Sequence, residues 1–319
     1  MCEAAFGEAR DQDYRVMPTK MDSKTIFFQD LIAQLSFGLS LLPDKPEETP
    51  DSTLRALWHA AAGVPVSVQK ASTSPLPSLD ATGVERLQTF IAQRVAGIPL
   101  AHLTGRQHFM GLELLAGKEA LIPRRETELL CRGTLALLER QAAERNEVTV
   151  LDVCTGSGNL ALALAFHVPQ ARVFAADISG EAVALARRNA RHLGLESRVE
   201  VREGDLLAPF DEPGFHGRVD LLVCNPPYIS SKKVDTMPGE IIGHEPRLAF
   251  DGGPLGIRIV ERLIREAPPF LRQGGTLAFE VGLGQGPALL RRLAKNTSYS
   301  GIRSIEDEAG EVRVILAGL

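Results

Sequence analysis

Apolar positions recur at helical spacing over residues 23–105 and gather into strand-like blocks after that. From Ser23 to Leu42 they fall at Ile26, Phe27, Leu31, Leu35, Leu39 and Leu42, which predicts one amphipathic helix. Pro43 to Asp51 is an acidic, proline-containing break. Ser52 to Ala62 predicts a second helix, which holds the only tryptophan, Trp58. Ser72 to Pro77 reads as a loop. Asp80 caps a helix through Val95, with Val84, Leu87, Ile91 and Val95 on one face. The pattern predicts a small helical domain over 23–105. Residues 1–22 mix charges with no apolar period and are expected to form a flexible tail.

Residues 106–123 predict a β-hairpin linker, with Gln107–Leu114 and Ala120–Ile122 flanking a turn at Ala116-Gly117-Lys118. Pro123 to Glu128 opens a helix that runs to about Arg145. Strands and helices then alternate. Strands are predicted at 148–153, 172–177, 198–202, 219–224 and 275–281, and helices at 159–166, 179–193 and 257–271. The chain closes on 302–305 and 312–316, an antiparallel pair. Alternation of this kind predicts an α/β domain over 124–319 with a doubly wound, Rossmann-like sheet whose last strand is antiparallel.

Composition narrows the picture by exclusion. The 319 residues are 44% hydrophobic, as in soluble globular proteins. The net charge of −5 supplies no global basic field for nucleic acid, and direct nucleic-acid binding is not expected. Cys2, Cys131, Cys154 and Cys224 form no CxxC pair, and the histidines make no HExxH pattern. Reduced thiols in a cytoplasmic, metal-free protein are the expectation. The N-terminus is too acidic and polar for a signal peptide. Leu160 to Phe166, the longest apolar run beside a motif, is far short of a membrane span.

Two stretches carry candidate chemistry. The first is Cys154-Thr155-Gly156-Ser157-Gly158, between the strand ending in Leu151-Asp152-Val153 and the next helix. Glycines there let the backbone approach a ligand closely, and a helix N-terminus follows. Asp177 lies about 20 residues on, where an acid binds ribose hydroxyls. This loop fits a dinucleotide and S-adenosylmethionine alike. Asp152 favours the second, because a carboxylate there attracts an amino group and repels a pyrophosphate. Asp205 or its neighbour Leu206, after the third strand, would lie along an adenine. The second stretch is Asn225-Pro226-Pro227-Tyr228. Two prolines end the strand at Asn225 and set a carboxamide and an aromatic ring at the sheet's carboxyl edge. A further glycine cluster, Gly282 to Gly286, reads as a flexible turn before a helix begun by Pro287. Arg187, Arg188 and Arg191 read as a solvated helix face.

Taken together, these stretches resemble the HemK/PrmC family of protein-(glutamine-N5) methyltransferases. The likeness runs from about residue 23 to the end of the chain. It is carried by Gly97 to Gly105, Leu121-Ile122-Pro123-Arg124-Arg125-Glu126-Thr127-Glu128, Asn225 to Ile229, His244-Glu245-Pro246-Arg247-Leu248-Ala249 and Glu280-Val281-Gly282. Many relatives have glycine where this chain has Cys154. The Cys-Thr-Gly-Ser-Gly form is similar to sister enzymes that act on ribosomal protein L3, whereas Arg124 to Glu128 is closer to the release-factor enzymes.

The resemblance implies a class I S-adenosylmethionine-dependent methyltransferase domain over 124–319, with the helical domain recognising substrate. It implies methyl transfer to the glutamine of a Gly-Gly-Gln motif in peptide chain release factors. Glutamine of ribosomal protein L3 and adenine N6 in nucleic acid stay open as other targets. By the same resemblance, Asp152, Cys154, Thr155, Gly156, Ser157, Gly158, Asp177, Asp205, Leu206 and Asn225 would bind the cofactor. Asn225 and the Pro226 carbonyl would accept the two amide hydrogens, Tyr228 would stack on the carboxamide, and Pro227 would complete the substrate wall.

Overall fold

The computed structural model describes residues 23–39, 42 and 44–319. The tail expected at 1–22 lies outside them. The N-terminal unit contains α1 (Ser23–Gly38), α2 (Pro50–Ala61), α3 (Val68–Thr73), α4 (Ala81–Val95) and α5 (Leu100–Thr104). Leu35, Leu54, Leu57, Trp58, Leu87 and Ile91 form its core. Helix α1 stops at Gly38, short of Leu42. A Cβ on Gly38 would sit 2.8 Å from Val95, so glycine lets α1 and α4 close together at that end. Helix α2 begins two residues early because Thr49 caps it, accepting from Ser52 N at 3.2 Å, and Pro50 suits a first helical turn. Asp80 caps α4 as expected, accepting from Gly83 N.

The hairpin is shorter than the sequence predicts and turns elsewhere. Its strands are β1 (Arg106–Phe109) and β2 (Leu112–Leu115). Met110 (φ 49°) and Gly111 (φ 82°) make the turn, and left-handed conformations at both central positions suit the twist of a two-residue hairpin. Ala120–Ile122 is not a strand. Its backbone is claimed by a side chain instead, Ile122 N donating to Glu245 Oε2 at 2.9 Å.

After α6 (Thr127–Ala143) come β3 (Val148–Val153), α7 (Asn159–His167), β4 (Ala171–Asp177), α8 (Gly180–His192), β5 (Val199–Glu203) and β6 (Val219–Cys224). Two short helices, α9 (Ser231–Val234) and α10 (Gly239–Ile242), precede α11 (Arg258–Glu266), β7 (Leu271–Glu280), α12 (Gly286–Leu293), β8 (Ser300–Glu306) and β9 (Val312–Gly318). Pro268 and Pro269 stop α11 before residue 271 and hand the chain to β7 earlier than expected. The sheet order is β5-β4-β3-β6-β7-β9-β8, with β3 to β7 parallel and β9 antiparallel to both neighbours.

Side chains alternate between two cores. Val150, Leu221 and Val223 face α6, α7 and α8 on one side, and Leu151, Val153 and Leu222 face α11 and α12 on the other. The sheet therefore has helices on both faces. The order reverses where β3 separates β4 from β6. A parallel sheet opens a crevice there, at the carboxyl ends of its strands.

Candidate active site

The chain leaves β3 in a tight, partly left-handed path. Cys154 (φ 59°), Gly156 (φ 56°) and Gly158 (φ 84°) all have positive φ. A Cβ at Gly156 would meet nothing within 4 Å, so this glycine faces open space. One at Gly158 would lie 3.2 Å from Ala186, so this glycine instead allows α7 to pack closely on α8. Asp177, at the end of β4, grips the loop: Oδ2 accepts from Gly156 N at 2.8 Å and Oδ1 from Ser179 N at 3.0 Å. Burial pushes its pKa up. Leu206 is held at φ 50°, and Asp205 beside it takes both bonds from Arg262 Nη1, at 3.1 and 2.9 Å.

These groups surround a cavity of about 440 Å³. Of the residues the sequence reading assigns to the cofactor, Cys154, Thr155, Gly156, Ser157, Asp177, Asp205, Leu206 and Asn225 line it. Its size is that of a small-molecule site. The open face of Gly156, the unpartnered and buried Ser157 hydroxyl and the carboxylate of Asp177 suit a nucleoside with hydroxyls to donate.

Two residues stand elsewhere. Gly158 is a packing glycine. Asp152 lies behind the loop, fully buried, and does not line the cavity. Its Oδ2 accepts from the Thr155 hydroxyl at 2.6 Å and from Ala161 N at 3.1 Å, while Oδ1 has no partner. Burial pushes its pKa up to about 7. Asp152 braces the loop and the first turn of α7; it is not placed to touch a ligand directly.

Asn225 lines this cavity and also a second one, of about 380 Å³, whose wall includes Pro226, Tyr228, Arg124, Gln285 and Arg313. Its Nδ2 donates to Thr127 Oγ1 at 2.9 Å. The Tyr228 hydroxyl donates to Glu280 Oε1 at 3.0 Å, and burial pushes the phenol pKa up, so the ring stays neutral. Gln285 Nε2 donates to the Tyr228 carbonyl at 2.9 Å, and Gln285 Oε1 accepts from Gly282 N at 2.9 Å. A Cβ on Gly282 would come within 3.0 Å of the Tyr228 ring. The cluster expected to be a flexible turn is therefore the backing of Tyr228. Helix α12 does begin there, with Pro287 in its first turn.

Residues 231–250 cross from β6 towards the helical unit and are pinned by carboxylates. Glu245 receives Ile122 N and pairs with Arg124. Glu240 pairs with Lys45 at 3.2 Å and Arg94 at 3.0 Å, and Arg94 also pairs with Glu48 at 3.1 Å. Arg94 and Glu240 are 2% and 9% exposed, so this join between the two units excludes water.

The Methyltransferase small domain model matches residues 128–257. A release factor glutamine methyltransferase of Moorella thermoacetica is 41% identical over 227 residues, 71% of this chain and 77% of that protein. One from Caulobacter vibrioides is 33% identical over 275 residues, 86% and 91% of the two chains. The chain belongs to the release factor glutamine methyltransferase family. Among solved structures, the hMettl16 catalytic domain in complex with MAT2A 3'UTR hairpin 6 superposes with a TM-score of 0.52 at 15% identity, covering 72% of this chain and 81% of that one. That likeness concerns the fold, a class I methyltransferase.

Seen as a member of that family, the chain has functional neighbours that sequence reasoning passed over. Thr127, Glu280 and Gln285 support Asn225 and Tyr228, and Arg124 with Glu245 ties the roof of the second cavity. Their signal was present in the Pro-Arg-Arg-Glu-Thr-Glu, Glu-Pro-Arg and Glu-Val-Gly stretches, but no spacing along the chain shows that those stretches meet. Among the described residues no group of three His, Cys, Asp or Glu could hold a metal ion. No described helix is long and apolar enough to cross a membrane.

Proposed function

We propose that the chain transfers a methyl group from S-adenosylmethionine to the side-chain amide nitrogen of a glutamine, that of the Gly-Gly-Gln motif in peptide chain release factors. The observation that carries this is Asn225 at the junction of two cavities, one suited to a nucleoside and one walled by Tyr228. When bound, S-adenosylmethionine supplies a methyl activated by its sulfonium. Asp177 and the Gly156 face would hold the nucleoside end, with Leu206 offering an apolar wall for the base.

A glutamine amide nitrogen is a weak nucleophile, because its lone pair is delocalised into the carbonyl. The chain must therefore orient it. Asn225 Oδ1 accepts one amide hydrogen and the Pro226 carbonyl accepts the other, both lone-pair donors without basic strength. Tyr228 stacks on the planar carboxamide. Alignment of this kind supplies about 7–11 kcal/mol in favourable systems. Asp44 of the helical unit also reaches the second cavity, and exposed Leu255 and Leu283 stand on its wall, which supports the helical unit as a second wall for a protein substrate. A release factor as substrate places the reaction in the cytoplasm, and the free Cys131, Cys154 and Cys224 suit that compartment.

The test is single-turnover transfer of labelled methyl to a release factor, with a Gln→Ala substrate as blank. Ribosomal protein L3 and DNA form the other arms. Label on the Gly-Gly-Gln glutamine supports the reading; label only on either other arm replaces it.

A further inference from the structure

Strand β9 enters the sheet at the edge where the cavities open. It runs antiparallel to β7, with Val314 opposite Glu280, the last residue of β7. Val281 N donates to the Arg313 carbonyl at 2.9 Å. On its other side β9 slips register against β8, where Ile305 faces Val314 but Glu306 faces Val312. Arg313 is the extra residue of that bulge. Bulges re-aim side chains and are over-represented beside active sites. Arg313 lines the second cavity, together with Asn225, Pro226 and Tyr228.

The residue is 8% exposed, yet its guanidinium makes no hydrogen bond to any described residue. Glu280 Oε1 stands 3.8 Å from Nη2 and Asp307 Oδ2 stands 3.8 Å from Nη1, both beyond hydrogen-bond length. Nε is buried without a partner. The other cations on that wall differ. Arg124 also has an unpartnered nitrogen, Nη1, but the rest of its fork is taken up by Glu245 and by Asp44, 3.6 Å away. Lys233 is exposed. A guanidinium is a fork of N–H donors with no acceptor, and buried donors left unmatched are costly. Arg313 is the buried donor on this wall that internal bonds do not use.

The glutamine reading leaves one substrate atom in need of such a donor. Asn225 Oδ1 and the Pro226 carbonyl take the two amide hydrogens, and Tyr228 covers the face of the group. The carbonyl oxygen of the carboxamide accepts only. We propose that Arg313 binds the substrate by donating to that oxygen. The proposal rests on the glutamine reading above. An amide held by its nitrogen alone swings about that end. A donor on its oxygen fixes the plane and keeps the nitrogen aimed at the methyl. The same set reads chemical identity. A carboxylate has no N–H for Asn225 and Pro226, and an ammonium has no acceptor for Arg313.

The experiment uses the full chain with a release factor substrate. It reads single-turnover transfer over a range of release factor concentrations, S-adenosylmethionine affinity by calorimetry, and thermal melting. Arg313→Ala should lose roughly 10²-fold in the rate at saturating release factor, while cofactor affinity holds. Guanidinium ion, added well below the concentrations that unfold the chain, should restore part of the Arg313→Ala rate and leave wild type unmoved, because it refills the donor position. Losses that track melting temperature and ignore guanidinium would make Arg313 a structural partner of Asp307 and Glu280, and overturn the proposal. A weaker half-saturation with an unchanged saturated rate would put the guanidinium on the peptide backbone instead of the carboxamide, and overturns it equally. If Arg313→Ala does not fold, Arg313→Met keeps the stem and drops every donor; a saturated rate equal to wild type there sinks the assignment, and a loss of the same size at unchanged cofactor affinity upholds it. Transfer by wild type with an unaffected Arg313 variant leaves the glutamine reading standing and removes only this contact. Absence of transfer by wild type refutes the glutamine reading, and the proposal with it.

Discussion

The cofactor cavity and the amide-holding segment share Asn225, yet they are built in opposite ways. The glycine-loop side of the cavity is formed where the chain leaves β3 and β4, and the bonds of that loop are short in sequence. Thr155 reaches Asp152 across 3 positions, and Gly156 reaches Asp177 across 21. The amide segment is held by side chains from remote elements. Asn225 meets Thr127 across 98 positions, Tyr228 meets Glu280 across 52, and Gln285 meets Tyr228 across 57. Backbone N–H groups and glycine conformations do most of the work in the first half, so its faults should appear as lost affinity or stability. Side-chain orientation governs the second, so its faults should appear as lost rate.

The largest expected effect tests the one buried charge on the cofactor side. Asp152 keeps its proton up to about pH 7 in the folded chain, because burial disfavours the ionised form, against the ordinary value of 3.8 in the unfolded one. Between those values the folded state binds more protons, so stability falls as pH rises through the window and levels off above about 7. Over that span the linkage amounts to roughly 4 kcal/mol. Asp152→Asn keeps an acceptor for Thr155 and Ala161 but cannot ionise. Urea unfolding of both proteins at several pH values isolates the contribution as the difference between the curves. Parallel curves would show that Asp152 titrates as an ordinary carboxyl group.

On the amide side, Asn225→Ala should lose roughly 10²–10³-fold in transfer, by analogy with removing one oriented polar contact elsewhere. The fold and most cofactor affinity should survive, since Asn225 is only one part of the first cavity's wall. Single-turnover assays beside calorimetry make the comparison. A loss confined to cofactor affinity would collapse the distinction between the two halves.

Those same sequence distances explain what could be read in advance. The strand and helix alternation, the glycine loop, Asp177 and the Asn225 turn are local patterns, and the structure has them where the sequence reading does. Asp152 reads as a ligand-side residue because its position in the chain adjoins the loop. Only packing shows that it points into the protein. The pattern favours a hairpin turn at Gly117, which lies in a turn-rich run, whereas Met110, where the turn falls, adopts a conformation that methionine seldom takes. The roles of Thr127, Glu280 and Gln285 were not legible, since none is distinctive by type and each acts on a segment it meets only in the folded sheet.

Next in size is Asp177→Ala. It removes a partner for ligand hydroxyls and also the carboxylate that accepts from Gly156 N and Ser179 N. Hydrogen bonds to a charged group are worth about 1.5–3 kcal/mol, so cofactor affinity should fall roughly 10–100-fold. At saturating cofactor, the transfer rate should drop far less than in Asn225→Ala. Titration calorimetry followed by rate measurement at high cofactor separates the two. A variant whose rate stays depressed at saturation would show that Asp177 also governs orientation.

The smallest effect concerns Cys154, where the cofactor half departs from its reliance on glycine. The residue is held at φ 59°, a left-handed conformation that costs a side chain about 1–2 kcal/mol relative to the usual region. Cys154→Gly removes that cost. It also frees the unfolded chain, which takes back roughly 0.5–1 kcal/mol. A little packing is lost as well, because the thiol lies against the core that holds the fully buried Cys224, whose own pKa burial pushes well up. The net expectation is a gain of about 0.5 kcal/mol, read as a small shift of the urea midpoint with an unchanged slope. A loss larger than about 1 kcal/mol would mean that the packing of Cys154 against this core outweighs the backbone cost. In that case the cofactor loop too would be held by a side chain reaching across to β6, and the contrast between the two halves would narrow at the position where their strands pair.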